Sequence, residues 1–95
     1  MRTKFEAVDK NDKLHNRASV SRLYSHCVVI HFAARPPSKF WPKGVTAFSR
    51  AEWAGSLALA ERSARRWRKE QYVEDVEILE ARHYQWHRRK RAAPQ

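Results

Sequence analysis

The chain has 95 residues and a mass of 11.3 kDa, enough for one small domain, and its 42% hydrophobic fraction with four Trp, three Tyr and four Phe supplies a thin core. Twenty Lys and Arg against ten Asp and Glu give a formal charge of +10, which points to polyanionic partners. The single cysteine excludes an internal disulfide, and without a secretory h-region or an apolar run of ~18 residues the chain is expected in the cytoplasm and not in a membrane.

Residues 3–8 alternate weakly and read as a first strand, followed by a polar turn at 9–13. Residues 18–32 carry the strongest strand signal: Val20, Tyr24, Val28, Ile30 and Phe32 share one parity, and Cys27-Val-Val-Ile30 is apolar on both faces. Pro36, Pro37, Pro42 and Gly44 make 33–47 a loop, whose Phe40 and Trp41 are expected to tuck against the core, with a partner-contacting tip as the alternative.

Ser49-Arg-Ala-Glu52 matches a capping box, and Phe48 and Trp53 match a hydrophobic staple, so a helix is expected from Ser49 to about Glu70. Trp53, Leu57, Ala60, Ala64 and Trp67 would form its buried stripe, with Gly55 unexplained on the opposite side. A last strand is expected over 74–86, with a bulge to account for its imperfect alternation. The result is an α+β fold, β-β-α-β: a three-stranded antiparallel sheet with one helix packed on one face. Residues 1–86 form the domain and 87–95 a basic C-terminal tail. The first strand would lie between the other two, with the helix crossing over one face. The second face would stay open, which favours a homodimer or a partner surface there.

Two cationic clusters dominate the chemistry. Arg62, Arg65, Arg66, Arg68 and Lys69 crowd the end of the helix, where some of them complement the helix dipole. Arg88, Arg89, Lys90 and Arg91 follow without a neighbouring acid. Together they are expected to bind phosphates of nucleic acid or a nucleoprotein, with Arg22 as a possible addition. Tyr84, Trp86, Tyr24 and Phe32 are candidates for a stacking platform. Tyr84, Trp86, Phe40 and Trp41 are the candidate contacts for a protein partner.

No metal or other cofactor is expected. Neighbouring His26 and Cys27 leave a strand on opposite faces, and His83 and His87 would stand ~13 Å apart on one strand. Cys27 reads as a core residue, and the chain has no glycine-rich phosphate loop or nucleophile motif, so an enzyme is not expected.

The segment Arg22-Leu-Tyr-Ser-His-Cys-Val-Val29, followed by an alanine- and arginine-rich helix and a Val-Glu-x-x-Val-Glu-like strand, resembles small phage- and prophage-encoded proteins with an R-x-Y-[ST]-H-x-V-V strand. Their size class includes anti-CRISPR proteins. The resemblance implies, as an alternative to nucleic-acid binding, an inhibitor that contacts a host defence complex.

Overall fold

The computed structural model describes residues 2–86, with side chains through His83. Its strands are β1 (Arg2–Val8), β2 (Leu14–Ser19), β3 (His26–Phe32), β4 (Phe48–Ala54), β5 (Val73–Glu80) and β6 (Arg82–Trp86), and its helix is α1 (Leu57–Arg68). They form two three-stranded antiparallel sheets, ordered β2-β1-β6 and β4-β3-β5. The α+β class holds, while the single sheet expected from the sequence is replaced by two.

The β-branched run in His26–Phe32 makes β3 the central strand of the second sheet, and Cys27, Val28, Val29 and Ile30 are fully buried. Strands β4 and β5 pair with β3 on either side, each antiparallel to it, so they run parallel to one another with α1 as the connection. A β-β-α-β unit with its first strand in the middle is therefore present, but its strands are 26–32, 48–54 and 73–80; strand 3–8, expected at the centre of the sheet, lies instead in the other sheet.

Alternation along β3 feeds two cores. Val28, Ile30 and Phe32 face α1, where they meet Ala60, Ala64 and Val76, with Trp67 packed alongside. Each fully buried Val or Ile contributes about 1.5–3 kcal/mol through lost water contact. Cys27 and Val29 face the other way and meet Ala7 of β1, with Ala51, Trp53 and Leu79 around them. The molecule thus has three layers: helix, central sheet, and the β2-β1-β6 sheet. The face expected to stay open is covered within the same chain, which removes the argument for a homodimer through it.

Four local expectations are corrected. Residues 18–32 are not one strand; β2 ends at Ser19 and β3 begins at His26. Ser49-Arg-Ala-Glu52 belongs to β4, because Phe48–Ala54 pairs along its whole length with β3 and ladder bonds outweigh a local capping motif. The helix starts instead after Ser56, whose Oγ accepts the Leu59 N–H at 3.2 Å. Gly55 stands at the joint between β4 and that cap. The expected strand 74–86 breaks at Ala81, where β5 ends and the chain enters the other sheet as β6; the Ala81 N–H donates to Ser25 O.

The 33–47 loop is closed by an Arg35–Val45 bridge and a turn in which the Gly44 N–H donates to Trp41 O. Gly44 has a φ of 75°, and a Cβ there would lie 2.6 Å from Arg35 O, so the turn requires glycine. Phe40 and Trp41 do not tuck inward; they are 82% and 52% exposed.

Candidate functional site

Folding brings together cations that the sequence separates. Arg22, in the segment between β2 and β3, and Arg62 and Arg66 of α1 line one cleft of about 480 Å³. Leu23, Val28, Ala54 and Leu59 are among its apolar lining, with Tyr24 and Trp53 also at its wall, and Glu52 and Ser63 are among its other polar groups. The i, i+4 spacing puts Arg62 and Arg66 on one helix face, while the Val28 side of the central sheet forms the wall.

Glu52 tempers the charge. It accepts the Ser63 hydroxyl at 2.6 Å and lies 3.8 Å from Arg66. That pair is largely solvated and weak. The Glu61–Arg65 and Arg66–Glu70 pairs that the helical spacing allows do not form among the described residues. Arg62, Arg65, Arg66, Arg68 and Lys69 are all exposed, and Arg50 and Arg66 flank the Trp67 ring at 5.7 and 5.9 Å. Trp67 is a packing residue: its ring meets Phe32 edge-on at 5.7 Å.

The stacking platform loses two of its members. Tyr24 is buried edge-on against Phe5 at 5.2 Å, with Arg17 over its ring, and Phe32 stacks on Phe48 at 4.6 Å. The Tyr84 and Trp86 side chains lie outside the described residues, and so does the tail with Arg88, Arg89, Lys90 and Arg91.

A second grouping lies between the two sheets, at the end away from Phe5. Asp9, His31 and Glu77 place ligand-type atoms within 4.8 Å of one another. His31 continues the Cys27–Val29 face of β3, and Glu77 stands opposite Val29 on β5. Asp9 follows β1, and its backbone closes the turn to β2 through hydrogen bonds with Lys13 and Asp12.

The side chains are held from several directions. His15 Nε2 donates to Asp9 Oδ2 at 2.8 Å, and the Asn11 and Lys13 N–H groups donate to Oδ1. His31 Nε2 donates to Glu77 Oε2 at 2.5 Å, and the Lys10 N–H donates to both Glu77 oxygens. Lys10 Nζ reaches Asp75 at 2.7 Å, and that contact holds the Asp75 carboxyl below its ordinary value. Burial pushes the Asp9 carboxyl up, but the hydrogen bonds from His15, Lys13 and Asn11 outweigh it and hold the group below its ordinary value.

Sequence reasoning weighed His26, Cys27, His83 and His87 as ligands and missed this set. Its usable signal was parity: Asp75, Glu77 and Leu79 share one face of β5, as Cys27, Val29 and His31 share one face of β3. No local spacing announces it, since His31 and Glu77 are 46 positions apart.

Comparison of the chain with protein-family models, curated proteins and solved structures finds no match. No helix among the described residues is long and apolar enough to cross a membrane.

Proposed function

We propose that the protein is a small, non-enzymatic binding protein that engages nucleic acid or a nucleoprotein through the basic face of α1 and its C-terminal arm. The observation that carries this reading is the convergence of Arg22, Arg62 and Arg66 on one cleft, next to the further cations Arg65, Arg68 and Lys69. Guanidinium groups bind phosphate oxygens as paired donors, and such contacts position a polyanion without reading its sequence. Three arginines around a concave surface add direction to the +10 charge that already favours encounter.

The test is a fluorescence-anisotropy titration with duplex DNA, single-stranded DNA and RNA at several salt concentrations. On duplex, log K is expected to fall against log salt with a slope of about −0.9 per phosphate contacted. The R62A/R66A double variant should weaken binding and flatten that slope by about two contacts. Equal affinity and slope in the variant would remove the cleft from the interface, and no binding at low salt would overturn the reading.

The exposure of Phe40 and Trp41 on the ordered 33–47 loop favours a second reading: a phage-type inhibitor contacting a host defence complex by protein–protein contact. Aromatic anchors of that kind dominate protein interfaces. An F40A/W41A variant would then lose inhibition while keeping its nucleic-acid affinity and salt slope.

A further inference from the structure

The geometry points to a divalent transition-metal site, of zinc type, formed by Asp9, His31 and Glu77. It is independent of the nucleic-acid reading, because it lies between the sheets and uses none of the cleft residues. Three features carry it. The ligand-type atoms converge within 4.8 Å, against a spacing of about 3.3 Å for donors that share one ion at bond lengths of ~2.0–2.1 Å. The shift required is therefore of side-chain size.

The donors are also desolvated: side-chain exposure is 0% for Asp9, 6% for His31 and 16% for Glu77. The cluster brings two carboxylates into that layer, and buried charges of this kind are met by pairing or by a metal ion. The nearby ammonium of Lys10 makes its ion pair with Asp75 instead.

The third feature is access and support. His31, though not Asp9 or Glu77, lines an open pocket of about 280 Å³ together with Asn11, Lys13 and Ser49, so an ion can approach the cluster from the imidazole side. His15 donates to Asp9, and the Lys10 N–H donates to Glu77, the outer contacts that orient carboxylate ligands. One imidazole with two carboxylates suits Zn²⁺, with Mn²⁺ as a weaker competitor.

Calorimetric titration of Zn²⁺ alone into the chelator-treated full chain tests the site. One ion per chain is expected, with affinity of about micromolar or tighter. H31Q and E77Q should each weaken it by ~100-fold or more, and H15Q by ~10–100-fold. H26Q should leave it unchanged, since that ring sits five residues along β3 beside Ser25 Oγ. Absence of saturable binding by the wild-type chain, or undiminished affinity in folded H31Q, overturns the site.

Should the ligand variants not fold, Co²⁺ added to the wild-type chain decides by NMR. Paramagnetic shifts of the His31 ring support the site. Shifts confined to other histidines, or none, reduce the cluster to a hydrogen-bonded clasp that closes the β1–β2 turn on β5.

Discussion

Cys27 shows what burial does to a reactive group. Its side chain has no exposure, and it sits between the sheets beside Val29 and Ala7. Burial pushes the thiol up to about 12 from an ordinary 9.0, and the charges of Asp9 and Glu77 add to the rise. A thiol that ionises later folded than unfolded favours the native state below pH 9.0. That contribution is lost as pH climbs from 9.0 toward about 12, as the unfolded chain releases its proton first. The native protein should resist thiol-specific reagents at neutral pH and react fully once denatured, and Cys27→Ala should flatten the alkaline limb of the stability curve. Rapid native reaction with a disulfide reagent would contradict the packing described.

Among the elements, the start of α1 separates a motif from its function. Ser49 and Glu52 have capping-box spacing, yet Ser49 pairs with His31 in a ladder, and Glu52 accepts from Ser63 across to the helix. Ser56 accepts the Leu59 N–H. Ser56→Ala should therefore cost about 0.5–2 kcal/mol, and Ser49→Ala markedly less, both read from denaturant midpoints. The reverse order would return the helix start to residue 49. The same displacement splits the two tryptophans: Trp67 stays with Phe32 under α1, while Trp53 points to the opposite core with Cys27 and Leu79.

The three layers depend on one aromatic plug. Phe5 is fully buried, edge-on to Tyr24 and 5.7 Å from the His83 ring, so it ties β1 to both the β3 entry and β6. Phe5→Ala should cost about 3–5 kcal/mol through lost burial and the cavity left behind. Hydrogen exchange should then show β1, β2 and β6 losing protection before β3 and α1. Uniform loss across both sheets would mean that the layers unfold as one unit.

Local chemistry was enough to place some of this protein. The apolar run at Cys27–Ile30 dictated a strand covered on both faces because β-branched residues on both parities need such cover. Its central place in its sheet, expected for residues 3–8, came only from the tertiary structure. Of the expected helical stripe, Ala60, Ala64 and Trp67 pack against the sheet, while Leu57 is exposed and Trp53 belongs to β4; the excess of arginine dictated a cationic surface. The tail containing Arg88–Arg91 belongs to that last reading and lies outside the described residues. Tertiary structure decided the rest, because pairing energy is not written in any short window. Phe48–Ala54 has the spacing of a helix start and becomes a strand only because β3 has an edge to fill. Ala81 ends one strand and begins another only because two sheets exist. Asp9, His31 and Glu77 are unremarkable in their own segments; the pairing of β3 with β5 makes His31 and Glu77 neighbours, and the stacking of one sheet on the other adds Asp9.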